Sequence, residues 1–147
     1  MALTQKAQYA LRAVYELAVK QGRGPIRIAE IATEQAIPRK FLEVILYQLK
    51  QAGVVTSKRG KAGGDYLAKP AEELTIGVVL RFMQGPTNPV ENSTRNDDAV
   101  LPGHCVFTSL WAEVDRAVST IYDGTTFRDL IDRQRALDAK TVRDYSI

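Results

Sequence analysis

Apolar residues in the first half of the chain recur at steps of three and four residues in three segments, and each segment predicts an amphipathic helix. The predicted helices cover residues 4–20, 27–34 and 39–50. Thr4 can cap the first helix, Pro38 suits the first turn of the third, and Gly53 follows its end. Because a turn of only three residues, 35–37, separates the second and third helices, the pattern is typical of a helix-turn-helix.

The third helix divides into an apolar face and a polar face. The residues predicted to be buried are Phe41, Leu42, Ile45, Leu46 and Leu49, and the opposite side carries Arg39, Lys40, Glu43, Tyr47 and Lys50. In a major groove, such cations can contact phosphates or guanine edges, and the carboxylate of Glu43 can accept a hydrogen bond from cytosine. The alternative is an ordinary solvated helix face.

Two short segments after the third helix predict the strands of a β-hairpin, at residues 54–57 and 66–68. Three glycines at the tip give the backbone freedom, and three cations lie beside them: Lys58, Arg59 and Lys61. A cationic tip can reach a narrow minor groove, although it can also be a solubilising turn. The first half therefore predicts a winged helix-turn-helix, mainly α with a small β-hairpin wing.

The second half begins with a short fourth helix at residues 76–84, for which Thr75 is the predicted cap. Residues 86–103 contain three prolines and no periodicity, which predicts a loop. A long amphipathic helix follows at residues 107–121. Thr126 and Asp129 predict a capping box for a short final helix, and the polar tail after Arg135 is expected to fray.

Charge is distributed unevenly along the chain of 147 residues. Residues 1–69 carry 12 Lys or Arg and 5 Asp or Glu, net +7, whereas residues 70–147 carry 8 and 12, net −4, which together give the total of +3. The positive field on the half that holds the predicted wing favours a polyanionic partner. The single cysteine excludes an internal disulfide, and no apolar run predicts a membrane span or a signal peptide, so we expect a cytoplasmic protein.

These elements, in this order, resemble the Rrf2 family of bacterial transcription regulators. The resemblance runs over about residues 1–132 and is carried by residues 3–10 (LTQKAQYA), 28–32 (IAEIA), Phe41-Leu42-Glu43 with Leu46 and Leu49, 53–55 (GVV), Arg59-Gly60 with Gly63-Gly64, Cys105 with Leu110-Trp111, and Thr125-Thr126.

The resemblance implies a homodimeric regulator, most often a repressor, that binds a palindromic operator in double-stranded DNA. Glu43 matches a base-discriminating glutamate, Arg59 matches the wing arginine, and Lys40 matches a groove-facing position. Lys6 and Tyr9 lie in the N-terminal segment that contacts phosphates. The helix after Cys105 would cross its partner through Leu110, Trp111, Val114, Val118 and Ile121.

The resemblance also implies a division of the chain. Residues 1–84 would form the DNA-binding domain, 85–104 a flexible loop for a small-molecule or protein effector, 105–135 the dimerisation helix with a short final helix, and 136–147 a polar tail.

Two departures from the family pattern bear on function. Asp65 follows the glycine pair where the family usually has an aromatic residue, so either the strand shifts its face or a packing aromatic is lost. The loop before the long helix lacks the cysteines of cluster-binding members, and only Cys105 remains. Gln8 and Arg12 occupy the alternative ligand positions. We therefore expect no conventional iron-sulfur cluster, unless a dimer supplies two thiolates together with His104 from each chain.

The pair His104-Cys105 could be a redox switch, a metal site or an inert packed segment. Two further functions remain open: a family-fold module that binds an effector or a protein and little DNA, which Asp65 favours, and a metal-handling protein that uses this pair. Recognisable enzyme motifs are absent from the sequence, so we expect no catalysis.

The hypothesis that Cys105 senses a signal makes a direct prediction. The wild-type protein is expected to change its operator affinity after treatment with peroxide, metal or nitric oxide, because a reactive thiolate would change state. Cys105→Ser is expected to bind equally with and without treatment. Gel shifts at fixed salt measure both proteins. An unresponsive wild type, or a variant that responds like the wild type, contradicts the hypothesis.

Overall fold

The computed structural model describes residues 3–86 and 104–145, without the side chains of His104 and Cys105. The elements, in chain order, are α1 (Gln5–Val19), α2 (Ile28–Gln35), α3 (Arg39–Gln51), β1 (Val55–Lys58), β2 (Gly64–Leu67), α4 (Ile76–Gln84), α5 (His104–Gly124) and α6 (Phe127–Tyr145). The predicted fold class, mainly helical with one two-stranded hairpin, is confirmed. The predicted loop at residues 86–103 lies outside the described residues beyond Pro86.

Helix α1 is the central element, and it contacts α2, α3, α4, α6 and β2. Ala7, Ala10 and Ala13 on its inner side are completely buried. Their small side chains let neighbouring helices approach closely, while Val14 and Leu17 fill the space further along the helix. The helix-turn-helix is therefore packed around α1 as one core.

The helix starts follow from local capping. The hydroxyl of Thr4 accepts a hydrogen bond from the Ala7 amide at 3.1 Å, and Thr75 does the same for Val78 at 3.3 Å. At the start of α6, the Asp129 amide donates to Thr126 at 3.1 Å, and the Thr126 amide donates to the Asp129 carboxylate at 2.9 Å. Hydrogen bonds from the backbone amide and the side chain of Thr126 hold the pKa of the Asp129 carboxyl below its usual value. The predicted caps and capping box are confirmed.

The β-hairpin is antiparallel, and Thr56 pairs with Tyr66 and Ser57 with Asp65. Both strands differ by one or two residues from the predicted ranges, 54–57 and 66–68. The second strand begins earlier than predicted because Gly64 pairs with Lys58 in the hairpin. Asp65 also pairs with Ile26: each amide donates to the other's carbonyl at 2.8 Å. Gly64 permits this approach, since its φ is +151° and a Cβ there would lie 2.5 Å from the Ile26 carbonyl oxygen.

Helix α5 is held to the core mainly through its C-terminal end. The guanidinium of Arg81 on α4 donates to both carboxylate oxygens of Asp123, at 2.5 and 2.9 Å. This pair lowers the pKa of Asp123. A backbone bridge joins Thr75 to Thr126, and the completely buried Phe127 follows it. The direction in which α5 leaves the domain is therefore set at this junction.

The prediction of a short final helix with a frayed tail after Arg135 is wrong. Helix α6 continues to Tyr145 for 19 residues. Most of its second half is exposed, so burial does not explain its length. Local pairs four residues apart support it, including Arg128 with Asp132 at 3.2 Å and Gln134 with Asp138 at 2.9 Å. The polar composition of the second half of α6 therefore does not indicate a lack of helical structure.

Among the described residues, no helix combines the length and the apolar composition that a membrane span requires.

The contribution of the buried Phe127 side chain to the stability of the fold is testable. Phe127→Ala should lower the free energy of unfolding by about 3–5 kcal/mol, because a completely buried ring would leave a cavity. Leu137→Ala, at an exposed position of the same helix, should change it by less than about 0.5 kcal/mol. Urea denaturation at one fixed protein concentration measures both. Equal effects of the two substitutions would contradict this role.

Candidate nucleic-acid interface

Helix α3 presents a polar face outward because its aliphatic face is buried. Leu42, Ile45, Leu46 and Leu49 are at most 2% exposed. On the other side, Arg39, Lys40, Glu43 and Tyr47 are exposed, as a groove-reading face requires. Phe41 is a correction: it was predicted to be buried, but it is 58% exposed and lies at the edge of the apolar face.

The exposed polar groups of α3 are held only weakly. Arg39 and Glu43 lie 3.6 Å apart as a pair one turn apart, and both side chains are mostly exposed. Such a surface pair contributes little to stability, so either partner can exchange it for another contact at small cost. The Tyr47 hydroxyl accepts a hydrogen bond from Gln51 at 3.1 Å.

The N-terminal part of α1 extends this surface. The rings of Tyr9 and Phe41 are 6.4 Å apart at 44°, and the Arg12 guanidinium lies 5.4 Å from the centre of the Tyr9 ring. Gln5 donates to the Tyr9 hydroxyl at 2.9 Å, and Lys6 is exposed nearby. The structure thus brings the predicted residues Lys6 and Tyr9 against the start of α3.

The wing carries its three predicted cations on exposed positions, Lys58, Arg59 and Lys61. Its tip is attached to the start of α2, because the guanidinium of Arg27 donates to the Lys61 carbonyl at 2.5 Å. No motif in the sequence points to Arg27 as a functional residue. A cation in the residue before a helix is the only local signal, and it does not indicate a contact 34 residues further along the chain.

Asp65 occupies a buried position on the inner face of the wing. Only 7% of the residue is exposed, whereas the next residue, Tyr66, is 42% exposed. Of the two alternatives considered for this strand, the structure therefore shows that a packing aromatic is lost. The carboxylate accepts a hydrogen bond from Ser57 at 2.5 Å and pairs with Lys50 of α3 at 2.9 Å. Its negative charge is therefore paired within the protein.

Helix α3 and the wing border one groove of about 620 Å³. Its lining includes Arg27 and Ala29 of the α2 region, Arg39, Glu43 and Lys50 of α3, and Gly60, Gly63 and Asp65 of the wing. The exposed polar face of α3 and the wing tip thus open onto the same concave surface. That arrangement lets one duplex contact both elements.

A second surface lies on α5 and is apolar. The exposed large hydrophobic residues include Val106, Phe107, Leu110, Trp111, Val114 and Ile121, while Val118 is half-buried. Val78 and Phe82 of α4, the main neighbour of α5, are exposed as well. A patch of this kind on a described surface indicates a protein contact.

Fold and surface together define a winged helix-turn-helix transcription regulator, and known proteins match almost the whole chain. The HTH-type transcriptional regulator CymR of Bacillus subtilis is 33% identical over 130 residues, 88% of this chain and 89% of that protein. The solved structure of that protein, the global cysteine regulator of B. subtilis, is similar with a TM-score of 0.78 at 30% identity, and the match covers 90% of this chain and 98% of that chain. The structure of T. potens IscR has a TM-score of 0.74 at 27% identity and covers 91% and 88%.

The sequence profile of the Rrf2 family, described as an iron-dependent transcriptional regulator, matches residues 3–133. The chain belongs to this family, and the resemblance noted in its sequence is confirmed. It is a DNA-binding transcription regulator, from a family of regulators rather than enzymes.

A single chain does not supply the thiolate set of a conventional iron-sulfur cluster, although the family description names iron. The chain has one cysteine and one histidine. Gln8 and Arg12, at the alternative ligand positions, carry neither a thiolate nor an imidazole; the Gln8 side chain donates to the Leu3 carbonyl at 3.2 Å, and Arg12 lies over Tyr9. Among the described residues, no group of three or more His, Cys, Asp or Glu could hold a metal. The side chains of the predicted sensor pair, His104 and Cys105, lie outside the description.

Proposed function

We propose that this protein is a repressor that binds a palindromic operator as a homodimer. Each protomer would place α3 in a major groove and its wing in the adjacent minor groove. The observation that carries the proposal is the groove bordered by both elements, into which Arg39, Glu43 and the glycine tip of the wing open.

Base recognition is assigned to the weakly held polar face of α3. Arg39 and Glu43 can leave their mutual contact, 3.6 Å long, for guanine and cytosine edges. Lys40 and Tyr47 flank them on the same exposed side. Lys6 and Tyr9 would contact the phosphate backbone next to α3, and the wing cations would reach the minor groove.

Dimerisation is assigned to the apolar face of α5. Its large hydrophobic residues are exposed along the helix, and a second copy would cover them through the same patch on both chains. Two DNA-binding domains related by a two-fold axis would then match a palindromic operator. The alternative, a module that has lost DNA binding, is weakened because Asp65 is buried and paired with Lys50.

Replacing Lys40 or Arg59 by Ala tests the DNA-binding surface. Each variant should bind the operator more weakly, and a phosphate-contacting cation should also reduce the slope of log K against log salt by about 1. Lys140→Ala, which removes one exposed cation on α6, is the matched control and should change neither quantity. Fluorescence anisotropy over a salt series measures both. Wild-type affinity in both Lys40→Ala and Arg59→Ala would refute the assignment.

Replacing Val114 by Asp tests the dimer. A carboxylate in the middle of the α5 face should convert the dimer into a monomer, because burying an unpaired charge is costly. Leu137→Asp places the same carboxylate at an exposed position of α6 and should leave the dimer intact. Sedimentation equilibrium gives the mass. A Val114→Asp variant that remains dimeric, or a wild type that is monomeric, would exclude this interface.

A further inference from the structure

One buried carboxylate connects three elements of the DNA-binding domain. Oδ1 of Asp65 on β2 accepts a hydrogen bond from Ser57 on β1 at 2.5 Å and lies 2.9 Å from the ammonium of Lys50, in the last turn of α3. The Asp65 side chain is 9% exposed and that of Lys50 is 38% exposed. Because a carboxylate with little access to water is costly unless it is paired, the contacts with Ser57 and Lys50 compensate for its burial.

The same wing is attached to the other helix of the motif by separate contacts. The backbone of Asp65 pairs with Ile26, and Arg27 holds the carbonyl of Lys61. The wing is thus held to the start of α2 through its backbone and to the end of α3 through the side chain of Asp65. These attachments join the hairpin to two different helices of the motif. Together they determine where the wing tip stands relative to the outer face of α3.

We propose that Asp65 and Lys50 are positioning residues that set the spacing between the wing and α3, and that this spacing discriminates operator from other DNA. The proposal rests on the proposed function. Lys50 then pairs with Asp65 and not with a DNA phosphate, although Lys50 borders the groove. The pair acts through the wing cations Arg59 and Lys61. It maintains their position relative to Lys40 and Glu43 on α3.

The Asp65 carboxylate could act by positioning the wing or by repelling phosphate, and these two roles predict opposite effects of its removal on operator binding. A carboxylate that merely repelled phosphate would weaken every complex, and its removal would tighten binding to any duplex. A positioning carboxylate would instead be needed for the operator alone, because binding of unrelated DNA depends on total charge and not on a fixed spacing.

The test compares Asp65→Asn, Lys50→Met and the double variant on two duplexes at one salt concentration. One duplex is the operator obtained by selection from random sequences with the wild-type protein, and the other is its scrambled version. Asp65→Asn should weaken operator binding by about tenfold and leave scrambled binding unchanged or tighter. The double variant should lose no more operator affinity than the single variant that binds the operator more weakly, because both substitutions break the same contact.

Glu72→Gln, which removes one exposed carboxylate near α6, is the control and should keep the operator preference.

Three results would overturn the proposal. They are tighter binding of both duplexes by Asp65→Asn, equal weakening of both duplexes, and independent losses that add in the double variant. Circular dichroism and urea denaturation give the folded fraction, and if Asp65→Asn does not fold, Ser57→Ala and Lys50→Met serve on the same two duplexes. Failure of the wild type to select any operator would refute the proposed function itself, before the variants are compared.

Discussion

The DNA-binding domain depends on the close packing of α1 against the helices around it. Ala7, Ala10 and Ala13 are completely buried, and such small side chains allow short distances between helix axes. The aliphatic face of α3 is buried in the same core. Its polar face must therefore point away from the protein, since the two faces lie on opposite sides of one helix. Burial of the apolar face, and not the charges themselves, orients the surface assigned to DNA.

The wing is positioned by a different kind of interaction. A two-stranded hairpin is marginal on its own, and this one has strands of four residues. Polar contacts of fixed geometry hold it: the paired backbones of Ile26 and Asp65, the Arg27 guanidinium on the Lys61 carbonyl, and the carboxylate of Asp65 between Ser57 and Lys50. Hydrogen bonds are directional, so they can fix the angle of the hairpin as well as its attachment.

Much of the fold could be predicted, and the errors have physical causes. The starts of α1, α4 and α6 follow from Thr4, Thr75 and the pair Thr126 and Asp129, whose bonds span only three residues. The apolar spacing along α3 predicts Phe41 to be buried with Leu42 and Ile45, but the fold leaves it at the edge, against Tyr9. The full length of α6 was not predicted, because its polar composition suggested a frayed tail and the stabilising side-chain pairs four residues apart were not recognised. The cations of the wing were found, whereas the contacts that hold it were not.

The positions of the helices, their caps, the cationic hairpin and the family follow from the sequence alone, although the full length of α6 does not, because periodicity and capping depend on residues within a few positions of one another. The packed fold is needed to show that Asp65 is buried, that Lys50 is its partner, and that Arg27 and Ile26 hold the wing. These contacts join residues between 15 and 39 positions apart along the printed sequence. Whether a charged side chain faces water or a partner depends on which distant segment packs against it, and the local pattern does not contain that information.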